Sequence, residues 1–477
     1  MRCGYVKRAT VTNKHSCLIQ VQDSTSCQQG ETAPNTTEGT IFALTGAEAS
    51  DLHPPARRLH SLMMKDTFVH WTFLLAIREA NLPLRLRRIY ISQYPRFWKG
   101  EHHYHLILTP HLRDLHMTVY LNPNWPTIFK SFAHLAPNIE FLSLDGQATI
   151  LWGDGPSSII EEHMFLSITS LSQLKTLRLP SITETLLIKL LPKLALLPKL
   201  EALYSNNDPR YDPIEHPPSF IGFPAFRSLQ WGHSVTLLPD LFQSIRSLSF
   251  SSLHVTQRTQ ITSSVFKDVL QCLAKLHRSS LASFVYCILF SFDDSDVDTS
   301  LDCITIDTIQ PLLDCQNLTS LELTGRLELR LLPDDIRRIC DSLSKLQSLQ
   351  AATNITDEDG NSLLTTIDLQ PLSRLPDLER LLIQFDGSAN TADELRGIPE
   401  STSKLQYFDV SMSIPPASAR DFISVVKKMF PQLESLAYET ITDSTGSELS
   451  DDDLFEDKQK PRVWDKVSSM LRRKRRI

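Results

Sequence analysis

The chain has 477 residues, of which 41% are hydrophobic and 22% charged, and its formal net charge is -7. This balance carries no basic excess that would favour nucleic acid or an anionic membrane surface as a partner. The sequence contains no apolar run that approaches the ~18 residues of a membrane span, and its N-terminus lacks the basic-then-apolar pattern of a secretion signal. We therefore expect neither a membrane span nor secretion.

The N-terminal part of the chain separates into two segments. Residues 1–50 are rich in Ser, Thr, Gln and Asn and contain few apolar residues, so we predict a disordered segment. Residues 51–104 contain an amphipathic helix pattern around Phe68–Ala80 and a strand pattern at Leu86–Ile91. We interpret 51–104 as a helical cap on the following repeats, because terminal repeats of a stacked array must cover their open end.

Residues 105–440 repeat one short phrase, in which an apolar residue, two variable residues, a leucine-like residue and one variable residue precede a third, usually apolar, residue. Its copies begin, mostly at intervals of about 26–37 residues, at Leu112, Ile139, Leu174, Leu200, Phe226, Ile245, Leu281, Leu318, Leu346, Leu378, Leu405 and Leu433. Leucine-rich repeats have periods of ~20–29 residues and bury such apolar positions only when neighbouring copies stack. The phrase therefore predicts irregular leucine-rich repeats.

Between the phrases, several stretches carry apolar residues at three- and four-residue spacing, which predicts amphipathic helices. They are Thr127–His134, Glu161–Leu171, Ser264–Leu276, Asp334–Leu346 and Ala419–Phe430. One strand and one helix per repeat predict an α/β leucine-rich-repeat solenoid, with a parallel sheet on the concave face and helices on the convex face.

The concave face of such a solenoid is its usual binding surface. It is lined by the residues just before and just after the second apolar residue of each phrase, since strand side chains alternate between two faces. These positions hold many serines and sparse charges of both signs, which argues against a nucleic-acid groove. One alternative is that small residues there merely suit a crowded sheet. The other is a protein-binding surface, for which aromatic, arginine and charged side chains are the candidates: Arg178, Tyr204, Glu322, Arg380, Tyr407 and Asp409.

After the repeats, we predict an acidic linker at 441–460 and a basic amphipathic tail helix at 461–477. Ser450 precedes three aspartates and is a phosphorylation candidate for an acid-directed kinase. The helix ends in a nuclear-import candidate of five consecutive basic residues, Arg472, Arg473, Lys474, Arg475 and Arg476. The alternatives for this tail are a frayed, solvated end and an amphipathic helix that binds a membrane surface or a calmodulin-like partner.

The sequence contains no pattern that predicts catalysis. It has no Gly-x-Ser-x-Gly nucleophile motif and no phosphate-binding glycine loop. The histidines at 102–105 lack a fourth metal ligand at suitable spacing, and the acidic loop Ser291–Asp302 lacks the glycine and glutamate of a calcium loop. We expect no enzyme activity, cofactor or metal. The eight cysteines form no Cys-x-x-Cys pair, which favours reduced thiols in the cytoplasm or nucleus.

The repeat phrases, for example Leu318-Thr-Ser-Leu321-Glu-Leu323 and Leu378-Glu-Arg-Leu381-Leu-Ile383, resemble those of fungal F-box leucine-rich-repeat proteins. The resemblance implies a substrate-recognition adaptor, because family members dock on a cullin-based ubiquitin ligase through an N-terminal F-box and select protein substrates with their repeats. The sequence shows no recognisable F-box in its first hundred residues. Two functions therefore remain open: an adaptor that contacts ubiquitin-ligase subunits, and a ligase-independent protein-interaction scaffold, with the nucleus as one option for its location.

Overall fold

The structure is a computed structural model, and its chain divides into two compact units. Unit 1 comprises 1–226 with 244–247, and unit 2 comprises 227–243 with 248–477. The structure describes residues 17–21, 40–44, 61–64, 86–91, 108–118, 131–145, 167–179, 182, 184–206, 220–257, 261–289, 303–325, 328–352, 364–390, 394, 397–411, 413–438 and 459–473.

Unit 1 contains an antiparallel strand pair and a parallel sheet. The pair is β1 (Cys17–Val21) with β2 (Thr40–Leu44). The sheet follows chain order through β3 (Ser61–Met64), β4 (Arg88–Ile91), β5 (Asp114–Thr118), β6 (Phe141–Asp145), β7 (Thr176–Arg178) and β8 (Ala202–Asn206). Each neighbouring pair of these sheet strands is parallel, as repeats that return the chain to the same edge require.

Unit 2 contains a parallel sheet of the same kind. Its strands follow one another in chain order as β9 (Ser228–Gly232), β10 (Ser252–Gln257), β11 (Ser283–Ile288), β13 (Ser320–Gly325), β15 (Ser348–Ala351), β16 (Arg380–Ile383), β17 (Tyr407–Asp409) and β18 (Ser435–Ala437). Two shorter strands, β12 (Ile304–Thr305) and β14 (Leu329–Arg330), pair with each other in parallel.

The apolar positions of the repeat phrase form the core of both sheets. Along β10 and β11, half-buried and buried residues alternate strictly, because successive side chains of a strand point to opposite faces. The second apolar residues of neighbouring phrases lie opposite each other; Leu253, for example, pairs with Leu229 and with Phe284, and all three are buried. Such burial contributes roughly 1.5–3 kcal/mol per large apolar side chain. The predicted α/β leucine-rich-repeat fold is confirmed.

Helices follow many of the strands and bury one apolar stripe. They are α1 (Glu184–Leu194), α2 (Leu238–Ser244), α3 (Ser263–His277), α4 (Ile306–Leu313), α5 (Pro333–Ser342), α6 (Ala419–Met429) and α7 (Gln459–Arg473), with 3-10 turns at Val235–Leu237 and Ile367–Arg374. The hydroxyl groups of Thr262 and Ser418 accept hydrogen bonds from backbone amides in the first turns of α3 and α6, and such caps stabilise helix starts. Within the described part of the chain, no helix is long and apolar enough to cross a membrane.

The structure agrees with the predicted helices to different degrees. The helices predicted at Ser264–Leu276 and Ala419–Phe430 are present as α3 and α6. The helix predicted at Asp334–Leu346 is present as α5 but ends at Ser342. Leu346 belongs to the next phrase, and its side chain is buried in the core. Of the stretches predicted at Thr127–His134 and Glu161–Leu171, the described residues are helical at 131–135 and 167–169.

One predicted phrase has the wrong register. The phrase predicted to start at Ile245 would bury Leu248 as its second apolar residue, but Leu248 is 92% exposed. The strand is instead β10, which buries Leu253 and Val255 after the buried Phe250. Both frames fit the apolar pattern, and only pairing of β10 with β9 and β11 distinguishes them.

At the N-terminus the structure differs locally from the sequence-based expectation. The segment 1–50, predicted to be disordered, contains β1 and β2, whose antiparallel pairing satisfies backbone groups in a way that local composition does not predict. The segment 51–104, predicted to be a helical cap, contributes β3 and β4 to the parallel sheet. The helix predicted around Phe68–Ala80 lies outside the described residues, and the predicted domain boundaries remain predictions.

The C-terminal helix α7 packs on unit 2 through its apolar face. Trp464, Val467 and Leu471 are buried, and the Trp464 ring meets the Phe422 and Phe385 rings edge-to-face at centroid distances of 5.4 and 6.4 Å. The Tyr438 hydroxyl group also hydrogen-bonds to the Asp465 carboxylate. This face is therefore occupied by the protein itself, which disfavours the alternatives of a frayed end or of membrane and calmodulin-type binding through the same residues.

Candidate functional site

The candidate binding surface is the open face of the two sheets, which we define as the side that carries the residues just before and just after the second apolar residue of each phrase. These residues are half-buried or exposed along most strands, whereas their neighbours are buried. The six predicted candidate residues, Arg178, Tyr204, Glu322, Arg380, Tyr407 and Asp409, all occupy such positions on β7, β8, β13, β16 and β17.

In unit 1, the open face carries a continuous row of stacked side chains across β4 to β8. The ring of Tyr90 stacks on that of His116 at a centroid distance of 4.1 Å, and His116 meets Phe141 at 4.5 Å. The guanidinium carbon of Arg178 lies 5.8 Å from the Phe141 centroid and 4.5 Å from the Tyr204 centroid. We call Tyr90, His116, Phe141, Arg178 and Tyr204 the aromatic row.

The spacing of the row follows from strand register and side-chain size. His116, Ser143 and Arg178 lie opposite one another on β5, β6 and β7. Because Ser143 is small and buried, it leaves room for Phe141, which lies two residues earlier on the same strand and face. Phe141 thereby contacts both His116 and Arg178, which would otherwise be separated by the serine strand.

Two carboxylates beside the row have hydrogen-bond partners on neighbouring or nearby residues. The Arg88 Nε atom donates to the Asp114 Oδ2 atom at 2.7 Å, and the Ser143 hydroxyl group donates to the Asp145 Oδ1 atom at 3.3 Å. Burial lowers the pKa of His116, and the nearby carboxylates of Asp145 and Asp114 oppose this shift. The imidazole is therefore neutral at pH 7 and offers the row an aromatic face without a full charge.

In unit 2, the open face contains a groove over β15 to β18 that brings three of the predicted residues together. Arg380 lies opposite Tyr407 on the adjacent strand, and the Tyr407 hydroxyl group donates to the Asp409 Oδ2 atom at 3.4 Å. Burial and the Asp409 charge raise the pKa of Tyr407, so its hydroxyl group stays protonated. The groove encloses about 570 Å³ and is lined by Gln350, Glu379, Arg380, Leu381, Leu382, Gln406, Tyr407, Asp409, Glu434 and Ser435.

Glu322 stands apart from the other predicted residues. It accepts a hydrogen bond from the Ser320 hydroxyl group at 3.1 Å and lies opposite Gln350, which lines the groove one strand away. Beside it runs a column of serines, in which Ser228, Ser252, Ser283, Ser320 and Ser348 lie opposite one another from β9 to β15. Ser252 takes the place that the wrong register at Ile245 had given to Ser247. This part of the open face is small and polar, in contrast to the aromatic row.

Sequence reasoning missed three members of the aromatic row and one histidine in unit 2. Tyr90 fell within the predicted cap, although the pattern Leu86-x-x-Ile89-x-Ile91 is a further copy of the phrase. His116 and Phe141 had the right positions, but nothing in the sequence indicated that they stack. Burial lowers the pKa of His254, and the Glu322 charge opposes this shift. The wrong register at Ile245 did not assign His254 to the open face.

The predicted tail sites are described only in part. Arg472 and Arg473 are the last residues of α7, whereas Lys474, Arg475, Arg476 and Ser450 lie outside the described residues. The histidines at 102–105 and the acidic loop 291–302 lie outside them as well. In the part of the chain that the structure describes, no group of three or more His, Cys, Asp or Glu side chains could hold a metal ion.

The fold and open face define a leucine-rich-repeat protein, and comparisons with known proteins give no closer assignment. No protein-family model matches the sequence, and a search of curated proteins found no significant relative. The chain is similar to a chain in the crystal structure of the Rad7 and Elc1 complex in yeast, with 15% identity, a TM-score of 0.35 and coverage of 73% of this chain and 83% of that one. It is also similar to the leucine-rich-repeat-containing protein LegL7 from Legionella pneumophila, with 11% identity, a TM-score of 0.26 and coverage of 88% and 94%. At these scores neither likeness carries a functional argument, and the fold assignment rests on the parallel ladders.

Proposed function

We propose that this chain is a non-catalytic protein-binding leucine-rich-repeat protein that receives a partner protein on the open face of its sheets. The observation that carries the proposal is the aromatic row, which places four aromatic rings and one guanidinium group side by side on the partly exposed face of β4 to β8. Tyrosine and arginine are among the residues that dominate the binding energy of protein interfaces.

The stacking within the row supports this role energetically. A side chain that is already held between neighbours loses less conformational entropy when a partner binds, and ordering a free one costs about 0.5–1.5 kcal/mol. Phe141 and Tyr204 hold Arg178 from two directions, and Tyr90 and Phe141 hold His116. The row therefore presents a preorganised surface.

The charges of the open face support a protein rather than a nucleic-acid partner. A nucleic-acid groove needs several lysine or arginine side chains that neutralise phosphates. In unit 1, Arg88 is neutralised by Asp114, and in unit 2 the groove combines Arg380 with Glu379, Asp409 and Glu434. Mixed charge around aromatic and apolar groups is typical of a protein interface.

The more specific role within this proposal is a substrate-recognition adaptor of a cullin-based ubiquitin ligase. The resemblance of the repeat phrases to those of fungal F-box proteins supports it, and the open face would then select the protein substrate. The alternative is a ligase-independent scaffold that uses the same face, with the basic residues Arg472–Arg476 as a nuclear-import signal and Ser450 as a phosphorylation site.

The test is partner capture by the tagged full-length chain from its own cells, identified by mass spectrometry. A variant with Phe141→Ser and Tyr204→Ser should lose the partners, whereas Lys466→Ser, on the exposed side of α7, should retain them. Circular dichroism and thermal unfolding of both variants would verify that they fold. Ligase subunits that remain with the open-face variant while a further protein is lost would support the adaptor. Partners retained in full by that variant would contradict the proposed function.

A further inference from the structure

We infer that the Arg178 end of the aromatic row is a receptor for an aspartate or glutamate side chain, carried by a segment of the partner protein in which the acidic residue stands next to an apolar or aromatic one. This inference rests on the proposed function and specifies the chemistry of the partner. It is argued from the position of the guanidinium group, from the ion pairs around it and from the rings beside it.

The guanidinium group of Arg178 lies over two aromatic rings, and among the described residues no ion pair holds its N–H groups. Its carbon atom lies 4.5 Å from the Tyr204 ring centroid and 5.8 Å from the Phe141 ring centroid. A planar guanidinium that stacks on aromatic rings keeps its N–H donors at the edge, where they can form paired hydrogen bonds to a carboxylate. The Arg178 residue is exposed, so that edge is accessible to a partner.

Three other basic side chains of unit 1 form ion pairs with carboxylates, and Arg178 is not part of these ion pairs. Arg88 pairs with Asp114 at 2.7 Å, and Arg113 and Lys175 both pair with Glu140, at 3.2 and 2.7 Å. Among the described residues, Arg178 belongs to none of these ion pairs and its contacts are the two rings. It is therefore a positioned cation whose charge is not compensated by the sheet.

The rest of the row determines what should accompany the carboxylate. Tyr90, His116 and Phe141 continue from Arg178 as a stacked surface without a net charge at neutral pH, on which an apolar or aromatic side chain can pack. A phosphate chain fits less well, because one uncompensated arginine neutralises only one phosphate and the exposed Asp145 would repel the next. Charge complementarity thus favours a single carboxylate beside an apolar group.

The experiment uses the full-length chain, labelled and applied to two matched sets of synthetic peptides of about twelve residues, a length that spans several repeat strands. One set places Asp or Glu next to Phe, Tyr or Leu, and the other replaces each acid by its amide. The acidic set should bind more tightly by about tenfold, and Arg178→Gln should remove that difference. Arg178→Lys should restore it only in part, because lysine keeps the charge but not the planar fork.

The matched control is Arg246→Gln, which makes the same substitution at an exposed arginine of unit 1 away from the strands; it should leave peptide binding unchanged. Equal binding of the two sets, no binding by either set, or binding that survives Arg178→Gln would overturn the inference. Tight binding of a single-stranded oligonucleotide of about twelve thymidines that is lost with Arg178→Gln would also overturn it, in favour of base stacking.

Failure of this inference can be distinguished from failure of the proposed function. If partner capture depends on Phe141 and Tyr204 but not on Arg178, the open face binds proteins and only the carboxylate assignment is wrong. If substitution of none of the three residues reduces partner capture, the proposed function itself fails.

Discussion

Replacement of Trp464 by alanine should release helix α7 from unit 2. The Trp464 side chain is 4% exposed and packs edge-to-face on Phe422 and Phe385. An aromatic side chain buries about 150–250 Å², and at about 25 cal/mol per Å² this corresponds to roughly 4–6 kcal/mol, an upper limit because unfolded chains retain some burial. Tryptophan-to-alanine changes in cores cost about 3–5 kcal/mol, so we expect a loss of this size in the docking of α7.

Hydrogen exchange of backbone amides measures this loss directly. Because contacts of repeat proteins are mostly between neighbours, a defect at the last element should open α7 before it unfolds the sheet. We therefore expect the α7 amides of Trp464→Ala to exchange about 150-fold faster or more, which is the factor that corresponds to about 3 kcal/mol or above, while the amides of β10 and β11 remain protected. Trp464→Phe should cost less, since it keeps one aromatic contact.

The exposed residue Lys466 provides a control, because Lys466→Ala removes a side chain of the same helix without altering its buried face. If α7 exchanges at the same rate in Trp464→Ala as in this control, the helix does not depend on the Trp464 contacts. The reasoning that the amphipathic face is occupied by unit 2 would then be wrong, and the tail would be free to act as a separate binding element.

Three further predictions concern stability. Gly325, at the end of β13, has φ 87°, and an added Cβ atom would meet the Ile288 carbonyl group, so Gly325→Ala should cost about 1–3 kcal/mol; an unchanged urea midpoint would contradict this. Tyr286 is fully buried, burial raises the pKa of its hydroxyl group, and this group has no hydrogen-bond partner in the described part of the protein. Tyr286→Phe should therefore raise the free energy of unfolding, measured by urea denaturation, by about 1 kcal/mol. A loss of stability would show that the hydroxyl group is not a destabilising buried group. Burial lowers the pKa of His233 from 6.5 to about 3, so folding favours the neutral form. The stability linked to His233 is complete above pH 6.5 and is lost as the pH falls towards about 3, at up to about 1.4 kcal/mol per pH unit; His233→Asn should flatten this part of the urea-midpoint profile, and an equally steep profile would contradict the assignment.

The repeat phrase determined the fold class and most of the strand positions, because three apolar residues within six can be buried only by parallel neighbours. Leu177, Leu321 and Leu381 occupy the core positions that the phrase predicts. Helices α3 and α6 were also predictable, since their apolar periodicity is strong and a capping hydroxyl group precedes each.

The register at Ile245 and the role of α7 were decided by the tertiary structure. Ile245 and Phe250 begin overlapping apolar frames, and only the pairing of β10 with β9 and β11 selects Phe250. The apolar face of α7 was evident from the sequence, but whether it meets a membrane, another protein or the repeats depends on the partner surface, which Phe385 and Phe422 supply from distant parts of the chain.

The candidate site divides in the same way. The sequence by itself placed Arg178 and Tyr204 on the open face, because strand residues alternate between faces. Their stacking with Phe141, His116 and Tyr90 depends on distances between side chains of different strands and on the small size of Ser143 between them. Only the tertiary structure could decide this, since side chains that are separated by about thirty residues in sequence become neighbours solely through the parallel pairing of successive repeats.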